Sequence, residues 1–123
     1  MARILIAEDD DAVRGLVTRA LVEDGHELTT TTDGAQALEA LQQQDGKFDL
    51  LVADVKMPVM DGVALALAAA RDRPEMPIML MTGYADQRER AHGLDALVHD
   101  VIAKPFSTEQ IKGAVREALI ARH

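Results

Sequence analysis

Four acids in a row, Glu8, Asp9, Asp10 and Asp11, follow directly on the apolar residues Ile4, Leu5, Ile6 and Ala7. Two carboxylates about 4 Å apart repel by roughly 1 kcal/mol in water and by about 4 kcal/mol at an effective dielectric near 20. Such a run needs something to offset it. Other polar residues hold the same place relative to an apolar run: Asp54 after 50–53, Thr82 and Gly83 after 78–81, and Lys104 after 101–103. Clustered carboxylates suit a hard divalent cation with oxygen ligands, and magnesium is the ordinary choice. A hydroxyl and a lysine at the same edge can hold phosphate oxygens, the lysine as a point charge. One carboxylate is then left to act as nucleophile.

Whether these residues meet depends on the elements that carry them. Residues 3–7 are a short apolar strand candidate, and Val13, Leu16, Val17, Ala20 and Leu21 recur at helical spacing until Gly25 closes the unit. A threonine-rich strand over 27–31 precedes a helix opening near Gly34 with Ala35, Leu38 and Leu41 inward, and a polar loop over 42–47 ends it. Residues 49–53 are apolar on both faces, as a central parallel strand is. Asp61 is placed to cap a helix from Gly62 through an alanine-rich stretch to about Asp72. Pro74 and Pro77 bracket the loop before a fourth strand over 78–81. A short polar helix is expected over 86–94, a fifth strand over 98–103, and a last helix marked by Ile111, Ala114, Val115, Ala118 and Leu119.

Five alternating strand and helix pairs imply an α/β fold, a doubly wound five-stranded parallel sheet with helices on both faces. Ligands of such sheets bind outside the carboxyl ends of the strands. Glu8, Asp9, Asp54, Thr82, Gly83 and Lys104 therefore converge on one edge.

Composition sets the limits of function. One domain is expected over 1–123, since the last helix ends near Ala121. The chain has no cysteine, which excludes disulfides, thiolate metal sites and cysteine nucleophiles. A net charge of −8 disfavours nucleic acid and anionic membranes as partners, and Phe48, Tyr84 and Phe106 are too few aromatics for base stacking. No apolar run approaches membrane-spanning length and no signal peptide is visible, so a cytoplasmic location is expected.

The stretches "RILIAEDDDAVR", "DLLVADVKMPVMDG", "MLMTGYAD" and "IAKPF", in this order and with 28 residues from Asp54 to Thr82 and 22 from Thr82 to Lys104, resemble the receiver domains of two-component response regulators. The resemblance covers essentially the whole chain and implies the flavodoxin-like (βα)5 receiver fold. It also implies Asp54 as phosphoacceptor, with Mg2+ held by Glu8, Asp9, Asp54 and the backbone carbonyl of Lys56. Thr82 and Lys104 are then the phosphoryl partners, Gly83 leaves room for the group, and the Lys104–Pro105 bond is cis. The donor is a histidine kinase or a histidine phosphotransfer protein.

Other readings of the same residues are weaker. Asp10 and Asp11 fall where the first helix begins, where acids cap it and complement its dipole. An EF-hand loop starting at Asp9 has Arg14 where glycine is needed. A phosphatase of the haloacid dehalogenase type needs an aspartate two residues after its nucleophile, where Lys56 stands. His26, His92, His99 and His123 show no metal spacing and read as surface or strand-end residues. Met79 and Met81 belong to the core, whereas Met57 and Met60 flank Pro58 in a rigid loop.

Val101 occupies the position three residues before the lysine where many receivers carry an aromatic switch, so that switch cannot operate unchanged. The resemblance implies that Lys56 and Tyr84 flank the path of water to the phosphoryl group, so they are expected to set its lifetime; Tyr84, the aromatic near the same edge, is expected either to take part in the switch or only to shield the acyl phosphate. Output is expected through protein binding, with the face of the fourth helix, fifth strand and last helix as readout surface and a monomer as the resting state. The stretch "MTGYADQRERAHGLDALVHDVIAKPFS" is similar to the CpdR family of single-domain regulators, which implies an adaptor for ClpXP-type proteolysis that engages a ClpX-type unfoldase when unphosphorylated. The alternatives are a phosphorelay shuttle, a CheY-like motor effector, or a metal-binding interaction module that never carries phosphate. An enzyme acting on outside substrates is not expected.

Overall fold

The strand Arg3–Ala7 (β1) buries both of its faces: Leu5 and Ala7 pack on one side of a sheet, Ile4 and Ile6 on the other. In the computed structural model, which describes residues 1–43, 47–83, 93–94 and 96–121, it is joined by Glu27–Thr31 (β2), Leu50–Asp54 (β3), Ile78–Thr82 (β4) and Asp100–Ala103 (β5). All four pairings are parallel, in the order β2-β1-β3-β4-β5. This is the flavodoxin-like order, in which the chain reverses direction across the sheet next to β1 and β3. Four helices are described: Asp11–Glu23 (α1), Gly34–Gln42 (α2), Gly62–Asp72 (α3) and Thr108–Ile120 (α4).

The helices divide between the two faces as the apolar residues require. Val17, Ala20 and Leu21 of α1 join Ile111, Val115 and Ala118 of α4 over Ile4, Ile6, Val52 and Met79. Ala37 and Leu41 of α2 join Leu65, Ala66 and Ala69 of α3 over Leu5, Leu51, Ile78 and Leu80. Ala37 thus takes the inward place expected of Ala35, because the inner stripe of α2 begins at the buried Gly34. On the first face, Arg116 of α4 pairs with Asp24 and Lys112 with Glu23, joining α4 to the end of α1.

Side chains accept from exposed backbone N–H groups at each helix start. Asp10 accepts from Ala12 and Val13, Asp33 from Gln36, Asp61 from Ala64, and Ser107 from Gln110 in a reciprocal capping box. The expected cap roles of Asp10 and Asp61 are therefore observed. Gly25 leaves α1 at φ +87°, a conformation that glycine reaches without a Cβ penalty.

Several boundaries differ from expectation. β3 starts at Leu50, because Asp49 is engaged with Arg3: its backbone N–H donates to the Arg3 carbonyl, and its Oδ2 accepts from the Arg3 N–H at 2.8 Å. β5 starts at Asp100, not at residue 98; Val98 is buried, but its N–H closes a turn onto Leu94. Met57 is buried in the core instead of merely stiffening a loop. His26 directly precedes β2, the strand-end place expected of it, with its side chain only 9% exposed and its Nδ1 accepting from the Ala2 N–H at 3.2 Å. The expected helix over 86–94 lies outside the described residues except for Gly93 and Leu94, as do Tyr84, His92 and His123 and part of the loop over 42–47.

Candidate functional site

Sheet register brings the polar residues to one edge. Ala7 of β1 lies beside Ala53 of β3, so Glu8 and Asp54, each one residue further on, stand side by side. Asp54 is the last residue of its strand and pairs with Met81, and Thr82 closes β4 beside Ala103. Lys104 comes directly after β5, with its N–H donating to the Thr82 carbonyl at 2.7 Å. The edge opens into a cavity of about 910 Å³ whose lining includes Asp9, Asp54, Lys56, Gly83 and Lys104.

At this edge, one carboxylate oxygen from each of Glu8, Asp9 and Asp54 lies within 4.8 Å of the other two. Glu8, Asp54 and Thr82 are buried, whereas Asp9 faces solvent. The Lys104 Nζ lies 2.7 Å from Glu8 Oε1 and 3.1 Å from Asp54 Oδ2. Burial pushes the Glu8 carboxyl up to about 7, against the lowering effect of the Lys104 hydrogen bond. Burial works in the opposite direction on Lys104, yet its contacts with Glu8 and Asp54 raise its pKa. Asp10 is different: the N–H groups of Val13 and Ala12 hold its carboxyl below the usual range, as befits a helix cap.

Two atoms at this edge bear on what it can hold. Asp54 Oδ1 and Thr82 Oγ1 are buried and have no hydrogen-bond partner among the described residues. A buried polar atom without a partner costs about 1–3 kcal/mol. An acceptor and a hydroxyl left this way beside an ammonium and three carboxylates fit a divalent cation together with an oxyanion. The acids could hold the cation; Thr82 and Lys104 could donate to the oxyanion.

The scan of the chain against protein families gives a match to the response regulator receiver domain over residues 4–116. This chain belongs to that family. The receiver is 36% identical over 121 residues to the response regulator receiver protein CpdR of Brucella abortus, covering 98% of this chain and 99% of the relative. It is 33% identical to part of the sensor kinase CckA of the same organism, covering 96% of this chain and 12% of the kinase. Among solved structures, a CheY-like receiver domain protein from Methanospirillum hungatei superposes with a TM-score of 0.89 at 28% identity, over 99% of this chain and 96% of the other. The family is a signalling module, and the transcriptional regulatory protein TcrA of Mycobacterium tuberculosis, 33% identical over 114 residues, is a relative of which the receiver spans 44%.

The receiver places Glu8, Asp9, Asp54, Lys56, Thr82, Gly83 and Lys104 around one edge, and the Lys104–Pro105 bond is cis. Lys56 is exposed at the rim. Val101 is set apart, paired with Leu80 and packed against the core under α2 and α3. Tyr84 lies outside the described residues.

Two residues that shape the edge escaped sequence reasoning. A Cβ on Gly62 would lie 2.1 Å from the Asp54 carbonyl oxygen, so the start of α3 rests directly on the backbone of Asp54. Its signal was the glycine after the Asp61 cap. Arg14 donates to the Glu8 carbonyl at 2.9 Å; its signal was a basic residue near a helix start, against the dipole.

Proposed function

We propose that this receiver takes a phosphoryl group on Asp54 from a histidine kinase or a histidine phosphotransfer protein, with Mg2+ held by Glu8, Asp9, Asp54 and the Lys56 carbonyl. The observation that carries this reading is the pair of buried atoms, Asp54 Oδ1 and Thr82 Oγ1, that have no partner among the described residues and lie beside Lys104 and the acid cluster. An Asp54 oxygen forms the new bond to phosphorus as the bond to the donor's leaving group breaks, and Lys104 and Thr82 donate to the phosphoryl oxygens. The cation, when bound, neutralises charge on those oxygens. Gly83, without a side chain, leaves the approach open.

The test is intact mass after incubation with acetyl phosphate, with and without magnesium, on wild type and Asp54→Asn. One added phosphoryl group that requires both magnesium and Asp54 is expected; an adduct that survives in Asp54→Asn sinks the reading. Followed over time, the same assay reports the lifetime that we assign to Lys56 and Tyr84. Lys56→Ala and Tyr84→Ala are expected to change the rate of phosphate loss.

For output, we propose a free-standing, cytoplasmic, monomeric receiver that acts as a phosphorylation-controlled adaptor, reading out through the face that includes β5 and α4. Its support is the nearly end-to-end match to CpdR. A ClpX-type unfoldase is expected to retain the unphosphorylated form in a pulldown and to release the phosphorylated one. Equal retention of both forms, or transfer of phosphate to a phosphotransfer histidine, favours a shuttle instead.

A further inference from the structure

Arg14 lies near the amino end of α1, where a cation opposes the helix dipole. Its contacts explain the placement. Nη1 donates to the carbonyl of Glu8 at 2.9 Å and lies 3.4 Å from that of Asp9, while Nη2 pairs with Asp11. The side chain as a whole is 22% exposed, and of its contacts the one to the Glu8 carbonyl is partly buried. Both carbonyls lie beyond Ala7, the last residue of β1 paired in the sheet. From the other side, the Glu8 N–H donates to the Thr31 carbonyl at 3.1 Å. One prong of the planar fork, Nη1, thus reaches both carbonyls, more closely that of Glu8, while the other prong, Nη2, is anchored on Asp11.

We infer that Arg14 is a positioning residue for divalent cation binding: by holding the Glu8 and Asp9 carbonyls, it sets their two carboxylates facing Asp54. The inference rests on the proposed role of those acids as cation ligands. A competing account gives Arg14 only a charge role, offsetting repulsion among the four acids. The two accounts differ in sign. If charge alone matters, removing a positive group beside a cation site tightens binding. If the fork positions the ligands, removing it loosens binding even though a positive charge has gone.

The experiment is calorimetric titration of magnesium chloride into wild type, Asp9→Asn, Arg14→Met and Arg14→Lys, with thermal melting of each in chelator. Lysine keeps the charge and the stem but not the planar fork, and it carries the comparison if the methionine variant does not fold. The expected result is one site in wild type, its loss in Asp9→Asn, and affinity weakened about tenfold in both Arg14 variants, the usual scale for groups that orient ligands. Affinity unchanged or tightened in Arg14→Met, or wild-type affinity in Arg14→Lys, overturns the positioning role. A lower melting temperature in chelator with the same magnesium affinity overturns it too, since that marks a purely structural contact. If Asp9→Asn binds magnesium like wild type, the ligand assignment itself fails and the inference falls with it.

Discussion

Glu8 is fully buried with its carboxyl pushed up to about 7, and Lys104 beside it carries the neighbouring charge. Between pH of about 4.5, its ordinary value, and about 7, the unfolded chain has released the Glu8 proton while the folded chain still holds it. Stability contributed by this group is therefore present at low pH and lost as pH rises through that window. The loss is on the order of 3 kcal/mol at most. A cation that binds the ionised carboxylate reverses the trend, because it competes with the proton. Magnesium is thus expected to raise the melting temperature more at pH 8 than at pH 5.5, and Glu8→Gln is expected to flatten the pH dependence in chelator. Melting curves at the two pH values, with magnesium and with chelator, check both; equal magnesium shifts at both values would show that Glu8 does not compete.

Among the elements, α3 is fitted most tightly to the site. Gly62 brings its first turn onto β3, donating its N–H to the Val55 carbonyl at 2.8 Å and leaving no space for a Cβ over the Asp54 carbonyl. That oxygen is backbone and cannot rotate aside. Gly62→Ala is expected to cost about 1–3 kcal/mol despite alanine's better helix propensity, and to slow uptake of phosphate by shifting Asp54. Gly113 in α4 is exposed and has nothing within 4 Å of an added Cβ. The same substitution there is expected to stabilise by about 0.5–1 kcal/mol and to leave phosphorylation unchanged. Urea midpoints and acetyl phosphate kinetics on the two variants test the contrast. Just before α3, Val59 adopts φ 69° as the Met60 N–H donates to the Pro58 carbonyl at 2.7 Å. For a β-branched residue this left-handed conformation is strained, and 85% exposure means that it is not offset by burial of the side chain.

At the scale of the whole molecule, periodicity and strand ends were the signals legible in the sequence. Apolar runs on both faces mark β1, β3 and β4 as inner strands, and the rule that ligands sit beyond strand ends points to Glu8, Asp54, Thr82 and Lys104 together. Gly62, Arg14 and the inward turn of His26 were not legible, because each depends on contact between segments distant in space or on the path of a loop, which periodicity does not encode. Charge is legible from sequence as a sum but not as a field. The chain carries a net −8, with the exposed Asp9, Asp10 and Asp11 close to the cavity, against Lys56 and Lys104 lining it. If the sum dominates at the distance where an anionic donor is captured, the protein repels acetyl phosphate. Raising ionic strength from 0.01 to 0.15 M shortens the screening length from about 30 Å to about 8 Å. With magnesium kept saturating, the bimolecular rate of acetyl phosphate uptake is therefore expected to rise over that range. A fall in rate would show that the two lysines and the bound cation, not the net charge, set the field that a donor meets.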